Sequence, residues 1–234
     1  MRKPALDNFL PLWYLSNLNH VVPLHGYNCC RGTTNRYVNW FIDLLSRIIM
    51  VIWRMFMRYS QGWLVGQDGS EGYMVPFEIC IRRGGTYQVT TSGPLNEDLL
   101  QSFVLCSFAV QRVLHDLNIT FEPFDCHLHF PLHRINGSGI SCRLSFTYAL
   151  LEVLGVNLRF SASAIVLTGD INLNGDVLPV GGIAQKIKTV RAAGFKYFIV
   201  ADRQPEECNF MIRVHHLKDL IGGRHELDTW RQDE

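Results

Sequence analysis

From Gly62 onward the apolar residues switch repeatedly between a spacing of two and a spacing near 3.6, and this switching limits the fold more than any other feature. "GYMVPFEICIRRGGTYQVTTSG" (72–93) alternates in two runs around Gly84-Gly85, a pattern that predicts a β-hairpin. "LNEDLLQSFVLCSFAVQRVLHDL" (95–117) has helical spacing, with Asn96 placed to cap it and acids in its first turn. "CHLHFPL" (126–132) alternates as a strand, and "SCRLSFTYALLEVLG" (141–155) predicts a second helix. "AIVLTGDINLNGDVLPVGG" (164–182) predicts two short strands around Asn174-Gly175. A third helix follows over 184–194, then the apolar strand "KYFIVA" and a short terminal helix over 212–221. Strands interleaved with helices mean a mixed α/β (α+β) domain with helices packed on a mixed sheet. With no repeat, low-complexity run or Pro-rich linker, 62–234 reads as one domain and 1–61 as a separate helical segment.

That leading segment holds "NWFIDLLSRIIMVIWRMFMRY" (39–59). At 100° per residue, Asp43, Arg47, Arg54 and Arg58 fall within roughly 60° of one another, so the predicted helix is apolar except for one narrow polar stripe. Twenty helical residues span about 30 Å, enough for a bilayer. Each charged residue at mid-membrane would cost about 2.5–3.5 kcal/mol, which argues against a plain transmembrane span. Three uses of 39–59 stay open: docking on the domain, burial in an oligomer, or lying in a membrane interface with its arginines among the phosphates.

Charge excludes some functions. A net charge of +1 gives no global field for nucleic acid or acidic substrates, and no long Lys/Arg run supplies a local patch, so no nucleic-acid partner is expected. Five of the seven cysteines lie in apolar stretches and no CxxC occurs, a pattern of buried reduced thiols. Cys29-Cys30 lacks partners at zinc spacing. The N-terminus has no basic segment leading into a continuous apolar run, so no cleavable signal peptide is expected. A cytoplasmic or other intracellular location is, with or without membrane association.

Two places can carry chemistry. Gly139-Ile140-Ser141 stands where a loop enters a helix, so nearby backbone N–H groups are free to hold an oxyanion. Ser141 in that position is a nucleophile or simply a helix cap. Lys186 follows "VLPVGGI" at a helix start between Ile183 and Ile187. Burial and the positive helix end would both disfavour its charge, tuning it as a general base; otherwise it is a solvated helix lysine like Lys188.

Residues 62–221 resemble the proteolytic domain of Lon proteases. The family's Gly-Pro-Ser-Ala-Gly nucleophile motif is matched by Gly139-Ile140-Ser141-Cys142-Arg143, with the following "AL" at Ala149-Leu150. Its "TGE…G.VLPVGG…K" block is matched by Thr168-Gly169-Asp170, Gly175 to Gly182 and Lys186, without a gap. "TYQVTTSGPL", "LLQSFVLCSFAVQRVL" and "HLHFPLH" are similar, in order, to the family's early strand, first helix and pre-serine strand. The resemblance implies a serine endopeptidase in which Ser141 attacks the peptide carbonyl, Lys186 is the general base and Thr168 orients its amine. Gly139, Ile140 and Cys142 frame the oxyanion loop, and no cofactor is needed. It also implies a polypeptide substrate and a homo-oligomer, commonly a hexameric ring.

The departures define the alternatives. Ile140 replaces proline, Asp170 replaces glutamate, and Arg143 replaces glycine. A cation two residues past the serine can repel basic substrates, lower the lysine pKa or block the site. Ser138, in "GSG", is a rival nucleophile. No GxxxxGK[ST] loop occurs, so the expected substrate is a flexible or pre-unfolded chain, with or without an ATPase on a separate polypeptide. The rival function is a catalytically inactive Lon-like domain that serves as a binding or assembly module. His127 and His129 share one strand face near His133, an arrangement that metal binding could use but that the family has as ordinary structure, so no metal site is expected.

Overall fold

The structure, a computed structural model, describes residues 57–131 and 139–222, which belong to one compact unit. The helix expected over 39–59 falls outside the described residues except at its end, and there Met57–Tyr59 are strand rather than helix.

Strands β1 (Met57–Asp68) and β2 (Glu71–Arg83) form a long antiparallel hairpin in full register from Met57↔Arg82 to Asp68↔Glu71. Its turn uses Gly69 at φ 56°, a left-handed conformation that favours glycine. Next come the short strand β3 (Val89–Ser92), helix α1 (Glu97–Asp116) and strand β4 (Phe124–His129). The sheet order is β1-β2-β4-β3, with β3 parallel to β4. The hairpin expected around Gly84-Gly85 is therefore not formed, because β4 lies between its two arms. The loop is instead drawn across the start of β4: Gly85 N–H donates to Pro123 C=O at 3.1 Å. The Asp125 carboxylate accepts from the amides of Thr86 and Gln88 at 2.7 and 3.0 Å. A Cβ on Gly85 would meet the Asp125 backbone nitrogen at 2.4 Å, so close approach is what this glycine provides.

The first helix begins as expected, with Asn96 Oδ1 accepting from Leu99 N–H at 2.9 Å and Glu97 and Asp98 in the first turn. Helix α2 (Arg143–Leu154) ends at Gly155, φ 83°. Every residue from Leu144 to Leu151 is buried, so α2 is the axis of the domain. Its hydroxyls are satisfied, as burial demands: Ser145 bonds Leu167 C=O at 2.7 Å and Tyr148 bonds Phe160 C=O at 2.5 Å.

Beyond α2 run β5 (Ile165–Leu167), the small hairpin β6 (Asp170–Ile171) and β7 (Val177–Leu178), helix α3 (Ile183–Ala192), β8 (Tyr197–Ala201) and β9 (Met211–Val214). The second sheet, β5-β8-β9, is parallel. The terminal helix expected over 212–221 is instead strand β9 followed by a 3-10 turn, Leu217–Leu220. Asp219 ends the strand by accepting the amides of His215 and His216 at 2.8 and 2.9 Å. Among the described residues no helix is long and apolar enough to cross a membrane.

Two cores flank α2. Phe77, Ile79 and Ile81 of β2 pack with Phe103 of α1 and Phe146 of α2 under the first sheet. On the other side Leu144 and Tyr148 meet Ile165, Ile199 and Val214 of the second sheet. A third cluster seats Ile183 and Val190 of α3 on Phe198 and Val200 of β8, with Val65 of β1 alongside. This last contact fixes the helix that carries Lys186.

Candidate active site

The chain enters the serine turn through Gly139, extended at φ −163°, and tightens into a 3-10 turn, Ile140–Cys142, that runs into α2. The first amides of such a turn have no carbonyl ahead of them to bond, which leaves donors at its mouth. Ser141 does not cap the helix: Cys142 holds the cap position and no side chain bonds there. The turn is tied by its backbone instead. Gly169 N–H donates to Ser141 C=O at 3.0 Å, and Leu144 N–H donates to Gly169 C=O at 3.1 Å. Ile140 stands exposed at the mouth. Cys142 is buried, its thiol pushed up to about 12 by burial and bonded to Gly139 C=O at 3.1 Å, so it is an inert neighbour. Ser138 and His133 lie outside the described residues.

Lys186 is only 3 % exposed, unlike the exposed Lys188. It sits one turn into α3, whose entry needs Gly182 at φ 75°. Its Nζ donates to Thr168 Oγ1 at 3.1 Å, and among the described residues no carboxylate pairs with it. Burial lowers its pKa from 10.5 to about 8. Thr168 is 1 % exposed, directly after β5, and its hydroxyl donates to Ser141 C=O at 3.3 Å. Lysine, threonine and serine backbone thus form one chain of hydrogen bonds. The lysine bonds Thr168 and not the Ser141 hydroxyl.

Arg143 does not reach Lys186. Its Nη1 pairs with Asp170 Oδ1 at 2.8 Å, and its Nε donates to Ser102 Oγ on α1 at 3.2 Å. The sequence offered no signal for Ser102, because only the packing of α1 on α2 brings it there. The histidine face is occupied by hydroxyls: His127 contacts Thr90 and Ser92 at 2.8 Å each, and His129 contacts Ser92 at 2.7 Å. Among the described residues no three His, Cys, Asp or Glu side chains converge.

Fold and site together define an α/β domain in which a helix-mouth serine and a buried lysine share a threonine. The family model of the Lon protease (S16) C-terminal proteolytic domain matches residues 61–214, and the chain belongs to that family. It is 28 % identical over 153 residues to the Lon protease of Parabacteroides distasonis, covering 64 % of this chain and 18 % of that protein. To peroxisomal Lon protease homolog 2 of Caenorhabditis elegans it is 29 % identical over 137 residues, covering 58 % and 17 %. To Lon protease 2 of Syntrophobacter fumaroxidans it is 32 % identical over 164 residues, covering 68 % and 20 %. The chain therefore spans about a fifth of the length of the relatives it matches.

Proposed function

We propose that this domain hydrolyses peptide bonds in flexible or unfolded polypeptides, with Ser141 as nucleophile and Lys186 as general base. The observation that carries the reading is the lysine: buried, without a carboxylate partner among the described residues, and hydrogen-bonded to a threonine that also holds the serine turn. A lysine so placed loses its proton near pH 8 rather than above 10, and its free amine can take the Ser141 proton as Oγ attacks the substrate carbonyl. The oxyanion settles on amides at the mouth of the turn framed by Gly139, Ile140 and Cys142. As the tetrahedral intermediate collapses, the C–N bond breaks and the Lys186 ammonium returns the proton to the leaving amine. Water then attacks the ester, giving its proton to the same amine, and Ser141 Oγ recovers it on release of the acid. Water is the only co-reactant, so no cofactor or nucleotide enters the bond-breaking step.

One observation favours the rival, non-catalytic reading: Lys186 bonds Thr168 rather than the serine hydroxyl. A serine-reactive fluorophosphonate, applied to the full chain at pH 8 and located by mass spectrometry, separates the two. An adduct on Ser141 that disappears in Lys186→Ala supports the dyad. A folded protein with no adduct supports a binding or assembly module.

A further inference from the structure

Ser141 and Thr168–Asp170 lie on segments far apart in sequence, and two backbone hydrogen bonds already hold them in register. The Thr168 hydroxyl adds a bond to Ser141 C=O, and an ion pair then joins the same segments through side chains at their far ends. The Arg143 and Asp170 side chains are 18 % and 14 % exposed, so their 2.8 Å pair is largely withdrawn from solvent screening. Both ends of the pair are immobilised. Asp170 Oδ1 also accepts from Ile171 N–H at 2.7 Å. The guanidinium is braced by Ser102, itself 2 % exposed on α1, and the Arg143 carbonyl accepts from the Cys106 thiol at 3.3 Å. Such a pair resists sliding, because moving the turn would strip a shielded cation from its carboxylate.

We propose that Arg143 is a positioning residue for the serine turn, clamping residues 139–143 to the Thr168–Asp170 loop through Asp170 and to α1 through Ser102. Its catalytic consequence rests on the Ser141–Lys186 reading. The glycine of the family motif has no side chain for this task, so the clamp belongs to the Arg143 and Asp170 of this chain. The clamp acts on geometry and not on the lysine's proton, since the guanidinium is engaged by Asp170. The pair also borders an open cavity of about 430 Å³ that Leu105, Leu173 and Leu178 share in lining. Arg143→Gln and Asp170→Asn keep a polar group at the edge of that cavity, where it has room to be hydrated.

The test uses the full chain with Arg143→Gln, Asp170→Asn, the double variant and Arg143→Lys. Fluorophosphonate labelling of Ser141 gives the rate at saturating probe and the probe affinity separately. Each single change should slow labelling about tenfold or more, since small misplacements of reacting groups cost that much, at unchanged affinity. The double variant should be no slower than the slower single, as expected of a shared interaction, and Arg143→Lys should recover part of the rate. The pH midpoint of labelling should stay where the wild type has it. Amide exchange in peptides covering 139–145 and 168–172 should quicken in Arg143→Gln. Additive losses, a moved midpoint, wild-type rates in both singles or unchanged exchange would each overturn the clamp. If the wild type does not label at Ser141, the functional reading falls, and the exchange measurement alone decides the clamp.

Discussion

Lys186 shows what the site requires of single residues. Its pKa lies near 8 in the fold and 10.5 without it, so the unfolded chain binds more protons between those values and stability rises with pH through that window. Below pH 8 the buried cation opposes folding by roughly 3 kcal/mol. Lys186→Met should therefore raise the melting temperature at pH 7 while abolishing labelling of Ser141, and the stabilisation should fade toward pH 10.5. Equal melting temperatures across that range would contradict the burial argument. Under the proposed reading, labelling of the wild type should climb as pH passes about 8, because only a free amine can accept the serine proton. A profile already flat from pH 6 would rule the lysine out as base. Thr168→Val, which keeps the shape and removes the hydroxyl, should slow labelling by about 10- to 100-fold, with Thr168→Ser close to wild type. The lysine's setting was legible because Ile183 and Ile187 flank it at a glycine-led helix start. The partner of Arg143 was not, since Asp170 is 27 residues away and only tertiary packing joins them.

The helices were readable: α1 stands where its apolar spacing and its Asn96 cap put it, and α2 and α3 where apolar stretches bounded by glycine put them. The misread elements share a cause. Gly84-Gly85 looked like a tight hairpin turn, but partner choice in a sheet is settled by distant strands, and β4 takes the place beside β2. At 212–221, four residues of strand and four of 3-10 turn imitate one helical stretch, because a short segment carries too few residues to separate the periods. The elements also show how α3 is held. Gly72 in β2 lies against it so closely that a Cβ there would meet Thr189 Oγ1 at 2.1 Å and Gln185 C=O at 3.0 Å. Gly72→Ala should destabilise the domain by about 1–3 kcal/mol in denaturant titration. Thr189→Ala on that background should restore most of the loss, since it removes the nearest atom. No rescue would mean that the Thr189 side chain is not what the glycine accommodates.

At the scale of the whole molecule, the two larger sheets of the described domain share α2 as a common wall. Phe146 is the keystone residue, with ring centroids 5.1 Å from Phe77 and 5.5 Å from Phe103. Phe146→Ala should cost about 3–5 kcal/mol in equilibrium unfolding and disturb the serine turn one helical turn away. A loss below about 1 kcal/mol would mean that the core repacks freely. The site draws on the mouth of α2, the end of β5 and the inner face of α3, so it comes into being only when both sheets have closed on that helix. Before that moment Lys186 stands in water with its ordinary affinity for a proton, and an ammonium cannot activate a serine. Under the proposed reading a nascent chain therefore emerges unable to cut itself or its neighbours: the burial that lowers the lysine's pKa is also a timer, which withholds the base until the polypeptide has become a finished enzyme.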